Sequence, residues 1–180
     1  MRTAFVAAML AAAIAAPGSG VQDRSAALQA FSVEVERYAA LRARYEAPLP
    51  PFDTRRDPWS LHLSRLFLAS AMRTARRTAA PGDIFTPPVA SLFRADIGAA
   101  VREAGIEALV DDEEPGEPLV DLTVNERIPD WAMRPLAGAL AARLPALPEA
   151  IEYRLAGDAL VLWDAHAEIL IDALPHAFGG

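Results

Sequence analysis

Proline decides where a helix can run in this chain. It lacks a backbone donor, and it pushes the residue before it out of the helical region. Fifteen prolines stand among the 180 residues, and most of them fall in groups. The group Ala47-Pro48-Leu49-Pro50-Pro51-Phe52 closes a segment, Ser25 to Glu46, in which Leu28, Phe31, Val35, Tyr38, Leu41 and Tyr45 recur every three or four residues. That spacing predicts a helix with one apolar side. A second helix is expected from Asp57-Pro58, with Asp57 as cap and Pro58 at the first position, to about Ala79. Pro81-Gly82 stops it. Thr86-Pro87 repeats the cap-then-proline pattern and opens a third helix, Pro87 to about Ala104, which Gly105 ends. Phe85, just before the cap, is placed to staple onto the first turn. Phe31, Trp59, Phe67, Phe85 and Phe93 are expected to share one helical core.

Past residue 105 the pattern changes. Asp111-Asp112-Glu113-Glu114-Pro115-Gly116-Glu117-Pro118 carries five carboxylates in eight positions and reads as an exposed linker, 106–118. Leu119 to Val124 alternates like a strand, and Arg134 to Leu144 fits a short helix. Ile151 to Leu155, a Gly157-Asp158 turn, Leu160 to Trp163 and Ile169 to Leu174 then read as an antiparallel meander, followed by a frayed tail, 175–180. Tyr153, Leu155, Leu160, Leu162, Ile169 and Ile171 should supply its packed faces. The expected class is α+β: a helical region, 21–105, and a small mostly antiparallel sheet with one short helix, 119–174.

The N-terminus predicts an address. Arg2 precedes thirteen apolar residues, Ala4 to Ala16, and Pro17-Gly18-Ser19-Gly20 breaks the run with small residues. A membrane span needs about 20 apolar residues, so this segment, 1–20, reads as a secretory signal peptide. Small residues fit cleavage after Ala15 or Gly20, and Pro17 disfavours a cut immediately before it. The expected location is the periplasm or the exterior, with no transmembrane anchor after cleavage.

Composition closes several chemistries. All 17 cations are arginine and there is no cysteine. Lysine Schiff bases, thiolate nucleophiles, thiolate zinc sites and disulfides are therefore absent, and arginine does not give up a proton to act as a base. From Asp23 to Arg102 there are 12 arginines and 8 acids, a net of +4; from Glu103 on there are 4 and 16, a net of −12. An acidic domain disfavours a nucleic-acid partner. The asymmetry predicts two oppositely charged halves docked on each other. A protein or cell-envelope partner remains open, and no cofactor is expected.

Two stretches resemble a family of uncharacterised exported bacterial proteins. They are Pro81-Gly82-Asp83-Ile84-Phe85-Thr86-Pro87 through Phe93-Arg94, and Leu144-Pro145 through Glu152-Tyr153-Arg154, Gly157, Leu160, Leu162, Asp164 and Ile169-Leu170-Ile171-Asp172. Trp163 departs from the pattern, where an arginine is expected, and so does His166, where variable polar residues are expected. The resemblance implies export and a common fold, and it carries no activity and no catalytic residue.

Asp164, His166 and Glu168 lie at spacing two, which on a continuous strand puts them on one face and would suit a divalent metal. A strand from Leu160 to Leu174 would run roughly 50 Å at about 3.3 Å per residue, too long for this domain. Asp164 to Glu168 is therefore expected to be a hairpin connection that leaves His166 at the surface. His62 has no carboxylate at helical spacing to orient it and is expected to be a surface or half-buried histidine, and His176 lies in the frayed tail. Arg73, Arg76 and Arg77 share a helix side and are read first as cations placed at a helix C-terminus, with an anionic lipid, polysaccharide or phosphate as the functional reading. Arg154 is expected to pair with Asp164 or Asp172 across the sheet. The expected function is a non-enzymatic binding or structural protein, with no catalytic, cofactor or metal residue assigned. The alternative is a small secreted hydrolase or metal-assisted enzyme using Asp164, His166 and Glu168.

Overall fold

The computed structural model describes residues 19–52, 57–105 and 122–178. Most of the predicted signal segment, the linker at 106–118 and Leu119 to Asp121 lie outside them. The described chain is α+β. Helices α1 (Ser19–Glu46), α2 (Pro58–Ala75) and α3 (Pro87–Ala104) precede a four-stranded antiparallel sheet. The sheet order is β1 (Arg134–Pro135), β2 (Ile151–Ala156), β3 (Ala159–Asp164) and β4 (Ile169–Leu174), with the short α4 (Gly138–Ala141) between β1 and β2.

The helix ends follow the local chemistry. The Asp57 side chain accepts the Ser60 amide at 2.9 Å, and Pro58 occupies the first position of α2. Thr86 holds the cap position of α3 without a side-chain bond, ahead of Pro87. Among the described residues α1 begins at Ser19, six residues before the predicted start, and α2 ends at Ala75, four residues early.

The helices cover one face of the sheet. Phe31, Phe93 and Phe85 meet there, with ring centroids 4.9 Å apart for Phe31–Phe93 and 5.4 Å for Phe85–Phe93, and the Tyr153 ring lies parallel to Phe31 at 6.4 Å. Leu155, Leu160, Leu162, Ile169 and Ile171 close this core from the sheet side, as expected from period-two alternation. The other face carries Val161, Trp163, Leu170 and Ala173, packed beneath Ile128, Ala132 and Met133. Both faces of β3 and β4 are thus buried, which explains their nearly continuous apolar sequence.

One irregularity decides the interior. Leu162 pairs with Asp172 but Trp163 pairs with Leu170, so Ile171 is an extra residue in β4. A bulge shifts side-chain alternation by one. It turns Asp172 onto the helix face, where a regular strand would have sent it outward with Leu170. There its carboxylate accepts four backbone amides at 2.8 Å each: Gly82, Ile84 and Phe85 from the loop between α2 and α3, and Ala173 of its own strand. Gly82 holds φ 88, a conformation that favours glycine.

Several expectations need correction. Leu122 to Val124 is not a strand. A turn at Val124-Asn125, with Asn125 at φ 69, comes first, and only then does the chain bond the edge of β4, through Asn125 to Leu170, Glu126 to Leu170 and Ile128 to Glu168. Arg134 to Leu144 is not one helix. Pro135 holds Arg134 extended, the pair forms β1, and only four residues after it are helical. Trp59 and Phe67 stay outside the core, 66% and 64% exposed. The tail is packed rather than frayed as far as described: Ala177 is buried and its amide donates to the Asp158 carbonyl.

The described parts of the two halves pack together, and arginines of the first reach the second. Arg65 pairs with Glu168 at 2.5 Å, and Arg42 and Arg94 donate to the carbonyls of Glu149 and Pro175 at 2.7 and 2.9 Å. Exposed pairs contribute about 0–1 kcal/mol each, so the shared apolar core carries most of the docking. Asp172→Asn tests the bulge-directed carboxylate. An amide turns two donors toward amides that need acceptors, and the variant should lose about 2–4 kcal/mol in urea unfolding. A loss below about 0.5 kcal/mol, the level of an ordinary surface change, would contradict this role.

Candidate functional site

The β3–β4 turn, residues 165–168, sends the three candidate side chains in different directions. Asp164 points to the helix side, as Leu160 and Leu162 do, and is fully buried. Its Oδ2 accepts the Tyr38 hydroxyl at 2.6 Å, and its Oδ1 accepts the amides of His166 and Ala167 at 2.9 Å. Both oxygens are occupied. Glu168, at φ 54, lies between Arg65 and Arg127. His166 reaches α1. Its Nδ1 is 2.8 Å from Glu46 Oε1, so Nδ1 carries the proton in this contact, because an ionised carboxylate only accepts. Among the described residues no three His, Asp or Glu side chains come together as a metal-ligand set.

The hairpin is where the apolar runs required it, but His166 is not the surface residue expected. Its ring stacks on Phe52, with centroids 4.5 Å apart and planes 5° from parallel. Arg42 Nη1 lies 3.5 Å from the same ring nitrogen. The prolines after α1 bring Phe52 back over the turn, and a cleft of about 400 Å³ opens between Arg42, Glu46, Pro50, Pro51 and His166. The Arg42 side chain is buried, and its Nε has no hydrogen-bond partner; the Glu46 carboxylate stands 3.8 Å away.

A second polar cluster lies deeper. Arg76 leaves the surface group assigned to it with Arg73 and Arg77. Its guanidinium lies 4.9 Å over the Tyr38 ring and donates to Asn125 Oδ1 at 2.8 Å and to the Ile171 carbonyl at 3.1 Å. The Asn125 amide donates back to the Arg76 carbonyl at 2.8 Å. Burial holds Arg76 below its ordinary pKa, against the pull of Tyr38, Asp172, Asp83 and Asp164. Arg154 pairs with neither Asp164 nor Asp172. It sits on the opposite face, bonded to Glu152 and Asp130 and lying 5.1 Å over the Trp163 ring. His62 is exposed beside Trp59, and His176 meets Asp158 at 2.5 Å.

Sequence reasoning missed Tyr38, Arg42, Glu46 and Phe52 as polar or aromatic partners, and it gave Asp172 the wrong partner. One signal was available: Asp172 interrupts an otherwise apolar strand, and a charge there must find partners. No protein-family profile, curated protein or solved structure matches the chain.

Chemically, the arrangement spends its acids on architecture. Burial first, and the Asp164 charge second, push the Tyr38 phenol well above its ordinary value of 10.0, and burial also raises Tyr153. A raised pKa means that the folded chain keeps a proton the unfolded chain loses. The tyrosine contribution is therefore constant below about pH 10 and declines as pH rises above it. Unfolding followed across that range should show stability falling, with the tyrosinate absorbance of these two rings appearing only on unfolding. Tyr38→Phe with Tyr153→Phe should flatten the alkaline fall. Early tyrosinate formation in the folded protein, from the two rings identified by this double variant, would refute the burial argument.

Proposed function

We propose that this chain is an exported protein of the periplasm or cell exterior that acts by binding rather than by catalysis. One observation carries the second half: Asp164, two residues before His166, has both oxygens taken by three donors. Glu168 is held by two arginines and His166 by Glu46 and Phe52. An acid or base needs a free lone pair or proton within reach of a substrate, and both carboxylates of the three are committed elsewhere, which leaves His166 without an acid from the turn to work with.

Export rests on Arg2, the apolar run Ala4 to Ala16 and the small residues after it, together with the family resemblance. Cleavage after Ala15 or after Gly20 leaves the helical core intact, because the first buried residue of α1 among those described is Ala27.

The test uses protein recovered from the periplasm or medium. Its N-terminus should read Ala16 or Val21, and it should hold no stoichiometric divalent metal after purification without chelator. His166→Ala loses the Phe52 stack and the Glu46 bond and should cost about 1–2 kcal/mol. An intact Met1 chain in the cytoplasm would sink the export half. A stoichiometric metal that vanishes in His166→Ala would sink the non-catalytic half.

A further inference from the structure

The outward side of α2 is unusual. At 100° per residue, its buried residues Ser64, Leu68, Ala69 and Met72 define the core side. Trp59, Leu63, Leu66 and Phe67 fall within about 100° of arc on the opposite side, by the same helical geometry. Trp59 and Phe67 are 66% and 64% exposed, and Leu63 and Leu66 are half-buried. Single exposed apolar residues need no explanation, but four on one strip, two of them aromatic, form a patch.

Charge tells what the patch fits. From Pro58 to Gly82 there are four arginines and no acid. Arg65 and Arg76 are engaged, by Glu168 and by the Tyr38–Asn125 cluster. Arg77 is exposed just past the end of α2, and Arg73 is 39% exposed with Glu126 only as near as 3.8 Å. Arg73 stands two turns after Leu66, in the same row. The strip therefore runs from aromatic at the N-terminal end to cationic at the C-terminal end. A second copy of the same strip would bring cations without counter-charges, so the complementary partner is anionic. No described helix is long and apolar enough to cross a membrane. Tryptophan, phenylalanine and leucine on one strip with arginine beside it is the make-up of a helix that lies in a lipid headgroup layer.

We infer that the outward face of α2 docks on an anionic phospholipid surface, with Trp59 and Phe67 in the headgroup layer and Arg73 and Arg77 on lipid phosphates. This rests on the binding reading above and names its partner. The acidic charge after residue 103 is repelled by the same surface, so docking is oriented and salt-sensitive.

Sedimentation of the exported chain with vesicles tests this. At low salt it should bind vesicles of equal parts phosphatidylcholine and phosphatidylglycerol, bind phosphatidylcholine alone far more weakly, and detach as salt rises. Trp59→Ser with Phe67→Ser, and separately Arg73→Gln with Arg77→Gln, should weaken binding roughly tenfold or more while thermal unfolding stays nearly unchanged. Trp59→Phe should remove a blue shift of fluorescence that vesicles induce. Failure to bind either vesicle, or binding undiminished by the Trp59–Phe67 exchange, overturns the inference. So does a solution dimer that this exchange splits, which assigns the strip to a second copy. None of these outcomes touches metal content or the His166→Ala result, which judge the non-catalytic reading separately.

Discussion

The fold turns on a carboxylate that the sheet buries and the helices need. Asp172 gathers the amides of Gly82, Ile84 and Phe85, so the loop between α2 and α3 is tied to β4 by three hydrogen bonds. A buried unpaired carboxylate would be expensive, and so would buried amides without acceptors. Each cancels the other's penalty. The bulge at Ile171 makes the match possible, because it alone places Asp172 on the helix side. Asp164 does the same work at the other end of the sheet, where Tyr38 brings α1 to the β3–β4 turn.

Between these two aspartates lies Arg76, and its chemistry explains how an all-arginine chain can use its cations internally. A planar guanidinium can lie over the Tyr38 ring and at the same time donate in two directions, to Asn125 and to the Ile171 carbonyl. An ammonium offers neither the flat face nor the fork. The cluster joins α1, α2, the 122–128 segment and β4, so the helices and sheet are specified relative to each other by hydrogen-bond geometry as well as by apolar area. The candidate cleft at His166 is a by-product of this arrangement: Asp164 sets the turn, and the turn presents His166 to Glu46 and Phe52.

Much of this was legible in the chain. The caps Asp57-Pro58 and Thr86-Pro87 marked two helix starts, and the three apolar runs of the meander marked β2, β3 and β4. The hairpin at 165–168 followed from length alone. Other features depend on tertiary packing and were not legible. Arg134-Pro135 pairs with β2 because β2 offers it an edge. Trp59 and Phe67 match the apolar spacing of a core helix, but α2 buries the side that carries Ser64, Leu68, Ala69 and Met72 instead. The candidate site was the least legible part. Spacing-two alignment of Asp164, His166 and Glu168 holds only on a continuous strand, and their true partners, Tyr38, Glu46 and Arg65, are all more than a hundred residues away.

The central claim is that the α2–α3 loop is held by Asp172 as firmly as the sheet itself. Native-state hydrogen exchange at the Ile84 and Phe85 amides tests it most directly. Those amides should exchange only by global unfolding, with the same opening free energy as Leu162 in β3. Exchange at the fast rate of an ordinary exposed loop, while Leu162 stays protected, would contradict the account.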